Sequence, residues 1–296
     1  MRKKIQHRLE FWLVLFLGFF LRLFPYQVSL LFANITGVLF FLLGRKRRKI
    51  TLENLKRCFP DKDEEELKRI ARRAYRYIAK SLTEYILFPK LDRDQILSLV
   101  EFEGLELFDS ALKEGKGAVL VTGHFGSWEL MGAAISQKGY PIDFLVGEQH
   151  NLLVDNLMNE HRRMMGIGII KMGAAAKGVI KALRDNRFVA MLSDQDAGKD
   201  GTIVDFLGFP ASTPKGPAAF SLKTNTPMIM GFIIRENGKK QKIILEIVEP
   251  IERSSNKEED INRLTQAYTS VLEKYIRAYP DHWYWLHRRW KSTLQK

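Results

Sequence analysis

Two ionisable residues, His124 and Glu129, have the types and spacing that general-base chemistry needs. They lie in the block Gly-His-Phe-Gly-Ser-Trp-Glu at residues 123–129, between an apolar segment typical of a β-strand and a segment with helical periodicity. In open α/β sheets, ligands bind at the edge where strands end and helices begin. With the turn folding back, we expect the Glu129 carboxylate to reach the imidazole of His124 and fix its tautomer. A histidine oriented in this way is a general base for a hydroxyl group.

The small residues around this pair suit a ligand-binding turn. Gly123 and Gly126 permit a tight turn, and Ser127 can cap the following helix, whose free backbone N–H groups could hold an oxyanion. Spacing alone leaves two alternatives open, because a histidine ahead of a helix is often structural and His-x4-Glu could bind a metal. The metal is disfavoured because the spacing is not His-Glu-x-x-His and no convincing third ligand lies nearby in sequence.

Composition limits the class of protein and its partners. The chain has 296 residues, 46% of them hydrophobic, which suffices for one large α/β domain with a membrane segment and argues against global disorder. Its formal net charge of +13 favours an acidic partner: nucleic acid, anionic lipid, a phosphorylated substrate or an acidic carrier protein. The single cysteine, Cys58, excludes an intrachain disulfide, and we predict that it is a buried core residue.

A membrane anchor is predicted over residues 1–49. Uncharged runs cover residues 11–21 and 23–44, Arg22 separates them, and basic residues flank the whole segment on both sides. A cleaved signal peptide is disfavoured because no small-residue cleavage site follows the first run. A spanning helix in which Arg22 snorkels, a hairpin, and a helix in the plane of the interface remain open. The last two place both basic clusters on the cytoplasmic side.

The elements that must position the candidate pair follow this anchor. Residues 50–100 have the pattern of a basic amphipathic helical segment, in which Asp61 or Asp63 can cap a helix with an acidic first turn. Over residues 101–296 strand-like and helix-like segments alternate, which predicts an α/β core with a largely parallel central sheet flanked by helices. Residues 50–296 would form the catalytic domain. The predicted strands are 117–123, 143–147, 167–172, 188–194, 227–234 and 242–248, and the predicted helices in this part are 127–137, 152–165, 174–184, 214–223 and 258–278.

The motif and the surrounding blocks resemble a known family. His124-x4-Glu129 is similar to the His-x4-Asp/Glu motif of glycerolipid-type acyltransferases, and nearly the whole chain resembles the bacterial lipid A biosynthesis acyltransferases of the lauroyl and myristoyl type. Besides the N-terminal apolar segment and residues 123–129, the blocks that carry the resemblance are Asn54-Leu55, Phe59-Pro60, Glu84, Arg162-x3-Gly166, Asp194-Gln195-Asp196-x-Gly198, Phe206-x-Gly208-x-Pro210-Ala211-x-Thr213 and Pro280-x-x-Trp283-x-Trp285-x-x-Arg288-x-Trp290-Lys291.

The resemblance implies an enzyme of the bacterial inner membrane whose catalytic domain faces the cytoplasm. The donor would be an acyl thioester on acyl carrier protein or coenzyme A. The acceptor would be a hydroxyl of a phosphorylated glycolipid, the lipid A precursor. His124 would deprotonate that hydroxyl and Glu129 would orient His124, in a ternary complex without an acyl-enzyme. No metal or redox cofactor is implied. Membrane lipids are expected partners, and nucleic acid is not.

Four further residues are assigned to substrate binding by the resemblance. Arg162 matches the family's helix-borne arginine, which is expected to hold a phosphate or the thioester oxygen, although Arg163 beside it leaves the assignment open by one residue. Asp194, Gln195 and Asp196 are expected to hydrogen-bond the loop and the acceptor sugar. The alternatives are an ordinary helix-surface arginine and a purely structural loop network.

Two further questions stay open at the level of sequence. The residues Trp283, Trp285 and Trp290, with Arg288 and Arg289, could form an aromatic belt at a membrane interface or pack in the core. The acceptor could be another glycolipid, such as a phosphatidylinositol mannoside, or an aminoacyl lipid. A non-catalytic basic protein that binds membranes or nucleic acid is a third alternative, although the sequence has no recognised nucleic-acid module.

Overall fold

The computed structural model describes residues 2–236 and 240–294. In these ranges the chain forms nine β-strands and twelve α-helices, numbered here along the sequence. The strands are β1 (Val100–Glu103), β2 (Ala118–Thr122), β3 (Ile142–Val146), β4 (Gly168–Lys171), β5 (Phe188–Leu192), β6 (Thr202–Phe206), β7 (Phe209–Thr213), β8 (Met228–Ile234) and β9 (Gln241–Ile247). The helices are α1 (Arg2–Arg22), α2 (Tyr26–Leu43), α3 (Arg45–Cys58), α4 (Glu64–Leu87), α5 (Arg93–Ser98), α6 (Leu105–Lys113), α7 (Trp128–Gln137), α8 (Leu152–Met164), α9 (Ala175–Arg184), α10 (Gly216–Thr224), α11 (Lys257–Ala278) and α12 (Lys291–Leu294).

Seven of the strands form the central sheet, in the order β1-β9-β8-β2-β5-β3-β4. Neighbouring strands run parallel except β8 and β9, which pair antiparallel. The other two strands, β6 and β7, form a separate antiparallel hairpin. The predicted α/β class with a largely parallel sheet flanked by helices is confirmed. Three features were not predicted from the sequence: β1, the β6–β7 hairpin and the antiparallel direction of β9.

Strand β2 lies inside the sheet because its short apolar sequence can be buried on both faces. All five of its residues are buried. Val119 and Val121 join one hydrophobic cluster, to which α9, α10 and α11 contribute, whereas Ala118 and Leu120 join a second cluster with α6 and α7. This alternation is the two-residue period of a strand, and helices on both faces are typical of parallel sheets.

Helix α4 joins the N-terminal helices to the sheet. Asp63 caps it by accepting a hydrogen bond from the N–H of Glu66 (2.7 Å). Of the two predicted capping residues, Asp61 and Asp63, the structure uses Asp63. Helix α2 packs so closely on α4 that a Cβ on Gly37 would lie 2.8 Å from the carbonyl oxygen of Tyr75. Helix α3 runs across the predicted domain boundary at residue 49, so that boundary falls inside a helix.

The first two helices leave much apolar surface exposed. Helix α2 is the one described helix that is long and apolar enough to cross a membrane. Arg22 ends α1 and turns inward: its Nε donates to the carbonyl oxygen of Ile86 (3.0 Å), and its Nη2 lies 3.2 Å from Nε2 of His161. In this structure Arg22 is thus directed toward the protein, and the arrangement of this segment in a membrane stays a prediction. The exposed large apolar side chains of α1 and α2 include Leu9, Trp12, Leu13, Phe16, Phe19, Leu31, Ile35, Leu39, Phe40, Leu42 and Leu43.

The carboxyl ends of β2 and β5 bring the two candidate loops together. The strands pair with Thr122 opposite Leu192, so residues 123–129 and 193–196 leave the sheet side by side. The C-terminal segment lies against the first of these loops, where Phe125 forms an isolated antiparallel bridge with Trp283.

The C-terminal tryptophans belong to the core. Trp283, Trp285 and Trp290 are each at most 1% exposed, and all three join the same hydrophobic cluster. Core packing is therefore confirmed, and the aromatic belt is wrong. Cys58 is buried as predicted, and burial raises the pKa of its thiol to about 12.

Candidate active site

His124 follows β2, and its imidazole is held by Asp194 from the end of β5. Nδ1 of His124 lies 2.8 Å from Oδ1 of Asp194, and the backbone N–H of His124 donates to Oδ2 (2.9 Å). Because an ionised carboxylate can only accept, Nδ1 carries the proton and Nε2 is the free acceptor. The imidazole side chain is 23% exposed whereas that of Asp194 is buried, so a substrate can reach the base but not its partner.

The electrostatics of this pair favour a charged imidazole. Burial opposes ionisation of Asp194, but the neighbouring His124 and the hydrogen bonds from His124 and Trp283 outweigh it and lower the pKa of the carboxyl to about 2. Burial also opposes protonation of His124, yet Asp194 and, more weakly, Glu129 raise its pKa above the ordinary value. The raised pKa makes His124 a stronger base and stabilises the imidazolium that forms when it takes a proton.

The C-terminal segment fixes both members of the pair. The indole Nε1 of Trp283 donates to Oδ2 of Asp194 (2.8 Å), and the N–H of Tyr284 donates to the carbonyl oxygen of His124 (3.0 Å). The rings of Trp128 and Tyr284 flank the imidazole, with centroids 5.1 and 5.9 Å from its own. The imidazole is therefore restrained at Nδ1, at its backbone and by neighbouring rings.

The two glycines of the motif are needed for close packing. Gly126 has a φ of +57°, and a Cβ there would lie 2.0 Å from the carbonyl oxygen of Ile233. A Cβ on Gly123 would lie 3.2 Å from the Cβ of Asp194, tighter than an ordinary contact. Residues with side chains would push the turn off β8 or off Asp194, which explains the predicted tight turn.

Glu129 is directed to Arg162 rather than to His124. The guanidinium donates from Nε to Oε2 (3.1 Å) and from Nη2 to Oε1 (2.5 Å), and its Nη1 donates to Oδ1 of Asn159 (2.9 Å). In the part of the chain that the structure describes, Glu129 and His124 share no hydrogen bond. The prediction that Glu129 contacts the imidazole of His124 is therefore wrong. The physical reason is that α7 carries Glu129 toward α8, whereas β5 delivers Asp194 to Nδ1. The catalytic role of Glu129 stays a prediction.

Arg162 is the inward-facing member of the two neighbouring arginines. Its side chain is 11% exposed, against 55% for Arg163, which favours Arg162 as the arginine at the candidate site. The guanidinium lies over the rings of Tyr85 and Phe144, at 5.7 and 5.9 Å from their centroids. An arginine that is buried, paired and stacked is not an ordinary surface residue, although its substrate contact stays a prediction.

The two residues after Asp194 have different surroundings. Nε2 of Gln195 lies 3.4 Å from Nδ1 of His124, so this amide lies beside the imidazole. Oδ2 of Asp196 accepts a hydrogen bond from Oγ of Ser292 (2.6 Å), which ties it to α12. Both are partly buried, and their predicted contacts with the acceptor sugar stay predictions.

A buried carboxylate, Glu84 on α4, is hydrogen-bonded to Ser127 and so holds the segment of residues 123–129 in place. It accepts hydrogen bonds from the hydroxyls of Tyr26 and Ser127, from the guanidinium of Arg235 and from Nε2 of Gln241 (2.9 Å). Ser127 stands at the predicted N-cap position of α7, but its hydroxyl is bound to Glu84 and makes no cap hydrogen bond. At the level of sequence, Glu84 was identified only as part of the family resemblance. The sequence signal for this structural role of Glu84 was an acidic residue on the apolar face of an amphipathic helix.

One described group of residues has the spacing of a metal site. His7, Glu10 and His150, on α1 and in the loop before α8, offer ligand atoms that lie within 4.8 Å of one another. This group includes neither His124 nor Asp194. The candidate active site itself brings together an imidazole, a carboxylate hydrogen-bonded to it and a buried guanidinium.

Comparison with known proteins decides the family. Residues 1–292 match the model of the family described as bacterial lipid A biosynthesis acyltransferase. The chain belongs to this family. The predicted resemblance is thereby confirmed.

The named relatives are acyltransferases of two kinds. The lipid A biosynthesis acyltransferase of Haemophilus influenzae is 24% identical over 93% of this chain and 85% of its own length. The lipid A biosynthesis palmitoleoyltransferase of Escherichia coli is 24% identical over 90% of this chain and 86% of its own length. The phosphatidylinositol mannoside acyltransferase of Mycobacterium tuberculosis is 24% identical over 65% of this chain, which spans 60% of the length of that relative. These names agree with the predicted enzyme class, the transfer of acyl groups.

Proposed function

We propose that this protein transfers a fatty acyl chain from an acyl thioester to a hydroxyl of a lipid A precursor, with His124 as the general base. The observation that carries the proposal is the buried Asp194, which accepts from Nδ1 and leaves Nε2 free at a partly exposed site. This is the arrangement in which a carboxylate fixes the tautomer of a catalytic histidine.

The proton moves twice in the proposed reaction. Nε2 of His124 takes the proton of the acceptor hydroxyl as its oxygen forms a bond to the thioester carbonyl carbon. The carbon–sulfur bond then breaks, and the leaving thiolate takes the proton back from Nε2. Asp194 stabilises the imidazolium between these steps, so a ternary complex suffices and no acyl-enzyme is needed.

Glu129 acts through Arg162 in this proposal. The bidentate pair fixes the plane of a buried guanidinium whose positive charge can attract an anionic group of either substrate. Removing Glu129 would leave Arg162 buried without its partner, which is costly for a charged group. The family motif would thus supply a base in His124 and a positioning residue in Glu129.

The named relatives and the net positive charge of the chain indicate which acceptor and donor we propose. A lipid A precursor is favoured over a phosphatidylinositol mannoside because the lipid A relatives align over about nine tenths of this chain, whereas the mannoside relatives align over 65% and 73%. The net charge of +13 suits a phosphorylated acceptor and an acidic acyl carrier protein, with acyl-coenzyme A as the alternative donor.

Membrane attachment is proposed from the exposed apolar surface of α1 and α2. Contiguous apolar surface of this kind marks an interaction site, and the basic cluster from Arg45 to Lys49 directly follows α2. We place the enzyme at the bacterial inner membrane, with the catalytic domain facing the cytoplasm, where acyl thioesters are made.

The proposed function is tested with detergent-solubilised, full-length protein. It is incubated with acyl carrier protein or coenzyme A thioesters and with either a lipid A precursor or a phosphatidylinositol mannoside, and the products are identified by mass spectrometry. We expect an added acyl chain on the lipid A precursor, absent with His124→Ala and present with His150→Ala, a control at an exposed histidine. Acylation of the mannoside alone would contradict the proposed acceptor.

A further inference from the structure

A basic pocket lies between α3 and the C-terminal segment. It has a volume of about 260 Å³, and Lys46, Lys49 and Arg57 of α3 line it together with Arg288. Glu53, 3.8 Å from Lys49, is the one acidic residue in the lining and offsets only one of the four positive charges. An excess of cations around a concave site favours a ligand with more than one negative charge.

The tryptophan in the pocket wall has an unsatisfied donor. Trp290 is 1% exposed, and in the part of the chain that the structure describes its buried indole Nε1 has no hydrogen-bond partner. Buried indole N–H groups usually have one, so Trp290 adds an unsatisfied donor to the residues that line the pocket. The guanidinium of Arg57 lies over the Trp290 ring, 5.5 Å from its centroid, so these two wall residues are in contact.

The walls of the pocket are held in place by α3. Nδ2 of Asn54 donates to the carbonyl oxygens of Trp285 and His287 (2.9 Å each), so the segment that carries Arg288 and Trp290 is fixed on the helix. A site that is already assembled does not have to order its side chains when a ligand binds, which favours specific binding.

The pocket also lies next to the surface that we propose contacts lipid. Helix α2 ends at the exposed Leu42 and Leu43, and α3 begins two residues later. Lys46 and Lys49 lie in the first turns of α3, within roughly 6 Å of its start along the helix axis. If α2 is embedded, these lysines lie at the level of lipid headgroups.

We infer that this pocket binds a phosphomonoester, namely the headgroup phosphate of an anionic lipid at the bilayer surface. A phosphomonoester carries up to two negative charges and offers three terminal oxygens, which matches several cations and an indole donor better than a singly charged phosphodiester. The phosphorylated acceptor offers the same chemistry. The source of the phosphate, a lipid at the bilayer surface, rests on the proposed function at a membrane. The preference of the pocket for a phosphomonoester does not depend on that function.

The inference is tested by vesicle binding of the full-length protein. Phosphatidylcholine vesicles contain either phosphatidic acid, a monoester, or phosphatidylglycerol, a diester, in amounts adjusted to the same surface potential. Arg57→Gln/Arg288→Gln removes two charges from the pocket. Lys177→Gln/Arg184→Gln removes two exposed charges from α9 and is the matched control. We expect wild type and control to prefer phosphatidic acid by roughly 10-fold, and the pocket variant to lose this preference.

A second variant separates ligand binding from folding. Trp290→Phe removes the N–H group while keeping an aromatic side chain, and it assigns the indole signal of Trp290 in nuclear magnetic resonance spectra. Inorganic phosphate should shift that signal in the wild type more than sulfate does at equal ionic strength. The Trp290→Phe protein should stay folded by circular dichroism and should bind phosphatidic acid vesicles less well.

A kinetic comparison identifies the source of the phosphate. If the acceptor supplies it, the pocket variant raises KM for the phosphorylated acceptor but not for the dephosphorylated one. If a membrane lipid supplies it, KM in detergent is unchanged and only the vesicle preference is lost. The vesicle measurement needs no turnover, so it can succeed even if the proposed acyl transfer is wrong. The inference is overturned if the pocket variant matches the control in both vesicle preference and KM.

Discussion

The contact between Asp194 and His124 makes a specific prediction for Asp194→Asn. Oδ2 of Asp194 accepts two hydrogen bonds, from the N–H of His124 and from Nε1 of Trp283, so the amide of the variant must place its oxygen there. The NH₂ group then faces Nδ1 of His124 and donates to it. The imidazole is forced into the tautomer with its proton on Nε2, which cannot accept a proton from the acceptor hydroxyl.

The magnitude follows from the loss of a correctly oriented base. General-base catalysis contributes roughly 10²–10⁴-fold, and the wrong tautomer of a catalytic histidine lowers turnover by as much as about 10⁴-fold in the serine proteases. We therefore expect Asp194→Asn to lower kcat by 10²-fold or more. The assay is the initial rate of acyl transfer in detergent, with Asp260→Asn, a buried aspartate at the start of α11, as the matched control.

The pH dependence of the same variant supplies a second readout. Activity needs neutral His124, so the wild-type rate falls as the pH drops through the pKa of the imidazole, which Asp194 raises. Removing the carboxylate should move this acid limb to lower pH. A folded Asp194→Asn protein with near-normal kcat, or with its acid limb at the same pH as the wild type, would show that Asp194 does not orient and stabilise His124.

The remaining predictions concern stability, the second ion pair, the buried acid and the anchor. Because the pKa of Asp194 is lowered from 3.8 to about 2, its ionised form stabilises the fold above pH 4. In urea unfolding, the wild type should lose roughly 2 kcal/mol more than Asp194→Asn between pH 4 and pH 2, and equal losses would contradict this. Glu129→Gln and Arg162→Gln should each lower the rate, and the double variant should be little worse than the more impaired single variant because the two act as one unit; multiplied losses would contradict this. Glu84→Ala leaves four donors without their acceptor and should lower the free energy of unfolding by about 3 kcal/mol or more, whereas an unchanged urea midpoint would exclude a structural role. Deleting residues 1–44 should release much of the protein from liposomes, as measured by flotation, and full-length protein that does not bind liposomes would contradict the anchor.

Local sequence patterns predicted most of the sheet and its helices. The segments that became β2, β3, β5 and β8 are short and apolar, and each is followed by a helical period or a turn. Strand β1 was not predicted because half of the residues in its sequence, Val-Glu-Phe-Glu, are acidic. The antiparallel direction of β9 was available in principle, because Ile234 and Gln241 lie too close in sequence for the crossover that a parallel strand needs.

The candidate site was predicted less completely than the fold. His124 and Glu129 are close in sequence, and that proximity suggested a contact that the structure does not contain among its described residues. Asp194 lies 70 residues away from His124, and the two meet because β5 pairs with β2 although β3 and β4 come between them in the chain. Pairings between strands that are distant in sequence depend on the packing of the whole sheet, which no local pattern encodes.

The assignment of His124 as the general base is tested most directly by the single-turnover rate of His124→Ala with the carrier-bound donor and the lipid A precursor. Circular dichroism and liposome flotation would first establish that the variant is folded and still binds membranes. We expect a rate roughly 10²–10⁴-fold below wild type, because the variant lacks the base at Nε2. A folded His124→Ala protein with a rate within about threefold of wild type would contradict the assignment of His124 as the general base.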